Sequence, residues 1–224
     1  SVCTKEYDLD MDEEIEIIDT NTRNEKVRNF FLNNKKSLIS WISIILIITV
    51  GYFSLMEMKE RNKIKLANQF NLATINFKVE DKEKTINNLV NIVKENDTTY
   101  SPLALYFLLD NGLIENKDEI NNLFDELLNI TNQANEIKNL NIYKKALFNS
   151  DFASENELLQ ILNPIINSES IWKSHALYLM AEYFYSKNEK QKSKDFFKKI
   201  LNLPNSNNDI KVASQKRINR DFSE

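Results

Sequence analysis

Glycine is almost absent from this chain of 224 residues, in which Gly51 and Gly112 are the two that occur. Loops that cradle a phosphate group need several closely spaced glycines, because the backbone must approach the phosphate and adopt conformations that other residues disfavour. The sequence therefore excludes nucleotide-binding motifs of the glycine-rich kind.

Histidine and cysteine are scarcer still, with His175 and Cys3 as the single residue of each type. A structural zinc site needs about four such ligands, and a nucleophilic cysteine or serine needs a nearby base. One cysteine cannot form a disulfide within the chain. We therefore expect no catalytic residue, no metal site and no cofactor. The net charge of −4 argues against a nucleic-acid partner, because binding phosphates requires a dense basic surface.

The stretch from Ser37 to Met56 has no charged residue, although 28% of the chain is charged. At about 1.5 Å per residue, a helix of this length spans about 30 Å, which is the thickness of the hydrocarbon core of a bilayer. Apolar residues cover every face of this helix, and aromatic rings stand toward both ends. The pattern predicts a membrane anchor that includes Trp41, Ile44, Ile45, Leu46, Ile47, Ile48 and Tyr52. A cleaved signal peptide is the alternative, but the stretch is long for one and no small-residue cleavage site follows it.

The basic residues on the two sides of this anchor give little information about its orientation in the membrane. Five basic residues between positions 23 and 36 precede it and four between positions 59 and 65 follow it, which gives a slight preference for a cytoplasmic N-terminus. The predicted organisation is an acidic and then basic cytoplasmic tail over residues 1–36, a transmembrane helix over 37–58 and one helical domain over 59–224.

Beyond the anchor, apolar residues recur at helical spacing, and polar turns interrupt them about every fifteen residues. No β-hairpin signal is present, so we expect an all-α domain of eight or nine short helices. The predicted interruptions are residues 97–99, 111–112, 129–132, 149–151, 163–164, 186–188 and 204–208. Ser101 and Pro102 are interpreted as the N-cap and the first residue of a helix.

The predicted helices also repeat. The tetrapeptide INNL begins at Ile86 and again at Ile120. This separation matches the helix–turn–helix period of tetratricopeptide repeats, which is about 34 residues. In the best-preserved unit, the signature positions are taken by Leu177, Met180, Ala181, Phe184, Ser193 and Phe197. The prediction is a degenerate tetratricopeptide-like solenoid of helical hairpins with a capping helix over residues 208–218.

In such repeats the first helix of each hairpin lines a concave groove and the second helix backs it. Counting around the first helices places two matching sets on the groove side: Leu103, Tyr106, Asp110 and Leu113 in one unit, and His175, Tyr178, Glu182 and Tyr185 in the last. Tyrosines beside acidic residues can hold an extended or helical peptide, with basic side chains of the peptide at the carboxylates. The alternative is that the rings complete the packing between repeats and the acids are solvated.

The order of these segments resembles a known family. The leader DLDMDEEIEIID, a basic patch, one membrane helix leading into a helical hairpin, degenerate repeats and the segment SIWKSHALYLMAEYF are together similar to ancillary subunits of the bacterial Sec translocon. These subunits have a tetratricopeptide-like periplasmic domain. The resemblance implies an inner-membrane protein with a cytoplasmic N-terminus and a periplasmic C-terminal domain. It also implies protein partners, namely translocon subunits, exported clients or periplasmic chaperones.

Other functions stay open at this point. The same fold is compatible with a scaffold for cell-envelope or division machinery and with a fixed accessory subunit of another membrane complex. A membrane-tethered hydrolase using paired carboxylates is a third possibility, although the acidic residues are placed as on solvated helix faces. The acidic leader over residues 6–19 is either a docking segment for a basic cytoplasmic surface or a solvating tail.

Overall fold

The structure, a computed structural model, describes residues 24–75, 77 and 82–222, and all regular structure among them is helical. The first helix, α1, spans residues 24–33. The others are α2 (Lys35–Ile75), α3 (Lys82–Lys94), α4 (Tyr100–Asp110), α5 (Lys117–Leu128), α6 (Asn135–Asn149), α7 (Glu155–Ile166), α8 (Lys173–Ser186), α9 (Lys190–Leu201) and α10 (Asn208–Asp221). The predicted all-α class is confirmed for this part of the chain. The acidic leader over residues 6–19 lies outside the described residues.

Helix α2 contains the charge-free stretch and is long and apolar enough to cross a membrane. Every residue from 39 to 65 is exposed. Within the stretch, the hydroxyls of Ser43 and Thr49 donate to the carbonyls of Ile39 and Ile45 at 2.9 and 2.7 Å. These hydroxyls are therefore satisfied by their own helix and need no polar partner from outside it.

The chain divides into two compact units between Asn62 and Lys63. In the second unit, each helix packs mainly on its neighbours in the chain, and α3, α6 and α8 also pack on the helix after next. Two alternating series result. Helices α3, α5, α7 and α9 begin at residues 82, 117, 155 and 190, and helices α4, α6, α8 and α10 begin at residues 100, 135, 173 and 208. Successive members of each series thus begin at nearly equal intervals along the chain. The tetratricopeptide-like form of this arrangement stays a prediction.

The core of the second unit consists of three clusters. The first joins the end of α2 to α3, α4 and α5 and contains the fully buried Leu105 and Phe124. The second joins α6, α7 and α8 around Leu162 and Met180, and the third joins α8, α9 and α10 around Phe197. Because α8 contributes to two clusters, it is buried on more sides than its neighbours.

Asparagine takes over the turn positions for which glycine is usually needed. Asn96, Asn132 and Asn188 have φ angles of 56°, 60° and 62°, which match the 57° of Gly112. Gly112 and Asn188 each stand two residues after a helix end, and the N–H groups that follow them, of Leu113 and Glu189, donate to the carbonyls of Leu108 and Phe184, each at 2.9 Å. Asparagine tolerates this conformation better than other non-glycine residues. This is how a chain with so little glycine builds a series of short helices.

The predicted break at residues 163–164 is wrong, because α7 continues through Pro164 to Ile166. A proline this close to a helix end removes one hydrogen bond, to the carbonyl of Gln160, and Gln160 is exposed to water. The fully buried Leu162 and Ile165 on either side hold the last turn in the core. Burial of the apolar face therefore overrides the proline signal.

The predicted N-cap role of Ser101 is also wrong, because α4 begins at Tyr100. The carboxylate of Asp97 accepts hydrogen bonds from the backbone N–H groups of Thr99 and Tyr100 at 2.9 and 2.7 Å. The hydroxyl of Ser101 is fully buried and donates instead to the carbonyl of Ile92 in α3 at 2.8 Å. Ser101 thus fastens α4 to α3.

We predict that Asn188→Ala destabilises the domain by about 1–2 kcal/mol, because alanine is strained at a positive φ angle. Asn188→Gly is the matched control and is expected to leave stability unchanged or slightly higher. The measurement is urea unfolding of residues 63–224 carrying each substitution. Equal stability of the alanine and glycine variants would contradict the account of this turn.

Candidate functional site

The eight predicted groove residues lie in quite different surroundings in the structure. Those on α8 are half-buried against other parts of the same chain, whereas two of those on α4 border an open recess. Whether any of them binds a partner stays a prediction, and their placement decides which of them a partner reaches.

On α8, the face predicted to line the groove is occupied by α10. The guanidinium of Arg217 donates two hydrogen bonds to the Glu182 carboxylate, at 2.7 and 2.6 Å, and a further one to Asp221. The same guanidinium lies 4.2 Å from the centre of the Tyr185 ring. Tyr185 also makes an edge-to-face contact with Phe222. The carboxylate that was expected to meet a basic peptide is therefore already paired within the chain.

Tyr178 packs into the third core cluster. Its ring makes an edge-to-face contact with Phe197, with 5.4 Å between the ring centroids. Burial, together with the neighbouring Glu182 carboxylate, raises the pKa of the Tyr178 hydroxyl. At this end of the domain the structure thus shows the packing role that was the alternative to a groove.

His175 belongs to a cluster of three rings between α6 and α8. Its imidazole lies 5.8 Å from the Tyr143 ring and 5.2 Å from the Trp172 ring, measured between centroids. Tyr143 and Trp172 are stacked at 5.9 Å. Burial lowers the pKa of His175, and the carbonyl of Ile171 offsets part of this shift. The histidine is therefore neutral at physiological pH and acts as a packing residue of this cluster.

The four residues predicted from α4 are also divided by the structure. Leu113 is 6% exposed and belongs to the first core cluster, so its place on the groove side is wrong. The helical count had continued past the end of α4 at Asp110, an exposed residue. Leu103, by contrast, is 42% exposed. Tyr106 is half-buried, and its hydroxyl donates to the side-chain carbonyl of Asn141 in α6.

Leu103 and Tyr106 border a recess of about 450 Å³ between the first turns of α4 and α6. We call it the α4–α6 recess. It is lined by Thr98, Thr99, Pro102, Leu103, Tyr106, Asn132, Gln133, Ala134, Ile137 and Leu140. None of these side chains is charged. Recesses elsewhere in the same unit are different, since charged residues such as Lys94, Asp118 and Lys145 line them.

Two features of the α4–α6 recess suit it to a protein ligand. Leu103 and Ile137 are 42% and 40% exposed on its two sides, so an apolar side chain entering the recess would remove both from water. The amide of Gln133 is shielded from solvent, and neither its nitrogen nor its oxygen has a hydrogen-bond partner within the described residues. A shielded amide without partners costs about 1–3 kcal/mol, and a bound main chain would recover this only if the Gln133 side chain turned outward to meet it.

Sequence reasoning missed Gln133 and Ile137. They lie at the junction of the α5–α6 turn with α6. Asn132, with its positive φ angle, turns the chain immediately before them. The signal that the sequence offered was Ile137, an isoleucine in the first turn of a helix.

Among the described residues, no three histidine, cysteine or acidic side chains are grouped as metal ligands would be. Comparison of the chain with family models, with curated proteins and with solved structures gives no match.

We predict that the free energy of unfolding falls as the pH is lowered from about 7.5 to about 5.5. The unfolded chain binds a proton at His175 near the ordinary pKa of 6.5, whereas the folded chain, with its lowered pKa, binds it only at lower pH. Below the pKa that His175 has in the unfolded chain, protonation therefore stabilises the unfolded state relative to the folded state. His175 is the only histidine, so His175→Gln should remove most of this slope in urea titrations. An unchanged slope in that variant would show that the ring is not desolvated as described.

We also predict that Arg217→Gln loosens α10. The change leaves Glu182 without its bidentate partner and should cost about 1–3 kcal/mol, typical for hydrogen bonds to a charged group. Proteolysis should then remove α10 faster than in the unaltered domain. Lys216→Gln is the matched control, because Lys216 neighbours Arg217 on the same helix and is exposed. Equal protease sensitivity of the two variants would mean that the ion pair does not hold α10.

Proposed function

We propose that this chain is a single-pass membrane protein whose helical domain binds other proteins and carries out no chemistry itself. The observation on which the binding function rests is the α4–α6 recess, which is apolar and uncharged in a chain where 28% of residues are charged. Surface recesses of this kind accept one or two anchoring side chains of a partner.

The membrane location is supported by α2. A core helix of a soluble protein buries its apolar residues. In the charge-free stretch, by contrast, Ile45 and Ile47 are 60% and 69% exposed. Such exposure would be very unfavourable in water and is favourable in lipid. The proposed transmembrane segment is the stretch over residues 37–58.

The spacing of the helices supports a tetratricopeptide-like solenoid. The nearly equal intervals between helix starts within each series are close to the length of that repeat, which is about 34 residues. Small residues also stand where helices approach closely. Ser193 is fully buried, and its hydroxyl donates to the carbonyl of Ala181 at 2.8 Å, which joins α9 to α8.

The proposed binding surface keeps Leu103 and Tyr106 of the predicted groove but not its acidic residues or the tyrosines of α8. Since Glu182 is paired with Arg217, a basic peptide has no free carboxylate there. The α4–α6 recess instead fits an apolar side chain of an extended or helical segment, and the Gln133 amide can meet its main chain once that side chain turns outward. Beside the recess, the ammonium of Lys144 lies 4.2 Å from the centre of the Tyr106 ring.

For the biological setting we propose an accessory role at the bacterial Sec translocon, with the N-terminus in the cytoplasm and the domain in the periplasm. This part rests on the resemblance in the order of segments. Exported chains present apolar segments before they fold, and chaperones present apolar binding surfaces, so either class of partner suits an uncharged recess.

The test is photocrosslinking in intact membranes, with a photoreactive residue in place of Leu103 in the full chain. The matched control position is Val212 on α10, which is 45% exposed and far from the recess in sequence. We expect position 103 to capture translocon subunits, exported proteins or periplasmic chaperones, and position 212 to capture them much less. Adding Ile137→Glu should reduce capture at position 103, because a carboxylate would then stand beside the recess.

Three results would each contradict part of the proposal. Identical products at positions 103 and 212 would mean that the recess does not select the partner. Capture of cytoplasmic proteins would overturn the orientation, and capture of division or cell-wall proteins would replace the translocon by the scaffold function.

A further inference from the structure

Helix α1, which precedes the proposed transmembrane segment, has one apolar face. Val27 and Phe30 are three residues apart and Val27 and Phe31 four, so the three side chains share one side of the helix. They are 51%, 58% and 56% exposed. This face is therefore not covered by the described part of the chain.

Basic residues flank that face. Lys26 and Arg28 each lie about 100° around the helix from Val27, on its two sides, and Asn29 lies on the opposite side, which it shares with the exposed Leu32. Lys35 and Lys36 follow at the start of α2. Such an arrangement, with aromatic residues on one face and basic residues at its borders, is typical of helices that lie at a membrane surface. Anionic headgroups complement the charges, and acyl chains complement the rings.

The apolar face of α1 lies so far from the proposed transmembrane segment that a straight helix through α1 and α2 would be unfavourable. Phe31 and Val27 precede Ser37 by six and ten residues, which corresponds to about 9 and about 15 Å along a helix. At those heights a straight α1 would carry its apolar face out through the headgroup layer into water. A single turn residue, Asn34, separates α1 from α2. The helical hydrogen bonds continue through Asn34, from its N–H to the carbonyl of Phe30 at 3.0 Å and from the N–H of Leu38 to its carbonyl at 2.9 Å, so α1 inclines toward the membrane surface only when these bonds open.

The geometry points to a second membrane contact: α1 lies in the headgroup layer, with Val27, Phe30 and Phe31 toward the acyl chains and Lys26 and Arg28 at anionic lipid phosphates. The contact rests on the proposed membrane anchor, since α1 adjoins it in the chain. Interfacial aromatic and basic residues fix the tilt and depth of a transmembrane helix. Anionic lipid therefore sets the position of α2 through α1.

The test uses the full chain with Cys3→Ser and one new cysteine carrying a fluorescent label. The labelled positions are Val27 on the apolar face, Asn29 on the opposite face as the matched control, and Leu46 in the middle of the charge-free stretch. Each protein is reconstituted into vesicles of phosphatidylcholine with roughly a quarter phosphatidylglycerol, and into phosphatidylcholine alone. Quenching by lipids with a nitroxide near the headgroup or deep in the acyl chain reports the depth of each label.

We expect shallow quenching at Val27 and clearly weaker quenching at Asn29. Lys26→Gln and Arg28→Gln should each lower the membrane-bound to free ratio of α1 about fivefold with anionic lipid, because each basic residue near the surface contributes about one such factor. Without anionic lipid these changes should have little effect.

The outcomes separate the two proposals. Deep quenching at Leu46 with equal quenching at Val27 and Asn29 would overturn the surface position of α1 and leave the anchor intact. Absence of quenching at Leu46 would overturn the anchor, and with it the contact proposed for α1. Quenching at Val27 that does not depend on phosphatidylglycerol or on the basic residues would overturn the role of anionic lipid.

Discussion

Helices α3 to α10 are all short, and each buries its apolar face mainly against its neighbours in the chain. Isolated helices of this length are marginal in water, so their stability depends on this mutual burial. The three core clusters follow from it, and so do the small buried residues at close approaches, such as Ala104 and Ala176. Where no adjacent helix covers the apolar face of a helix, either another segment of the chain packs on that face or the face stays open to solvent.

Both outcomes occur in the series α4, α6, α8 and α10. Between α8 and α10, the Arg217–Glu182 pair and the surrounding rings close the contact. Between α6 and α8, the stacked rings of Tyr143 and Trp172 fill the space. Between α4 and α6, the contact of Tyr106 with Asn141 leaves the first turns apart, and the α4–α6 recess opens there. Variation in how one pair of helices meets thus creates the candidate site.

Much of the fold could be predicted from the sequence. Helices and turns were predicted correctly where local signals dominate, because asparagine and Gly112 end helices by conformational preference. The break predicted at Pro164 was wrong because the burial of Ile165 outweighs the loss of one hydrogen bond at the proline. The site was harder to predict. A helical count identified the face of α8 that carries Tyr178 and Glu182, but it does not reveal that α10 returns to cover this face.

The domain presents an open surface at Leu103, whereas the equivalent face of α8 packs against α10. Thiol reactivity measures this difference directly in the full chain with Cys3→Ser and a single cysteine from Leu103→Cys or Tyr178→Cys. We expect modification at position 103 to be several-fold faster than at position 178, because Leu103 is 42% exposed whereas Tyr178 is half-buried against Phe197. Equal rates, or faster reaction at position 178, would contradict this account and would restore a groove that extends over both helices.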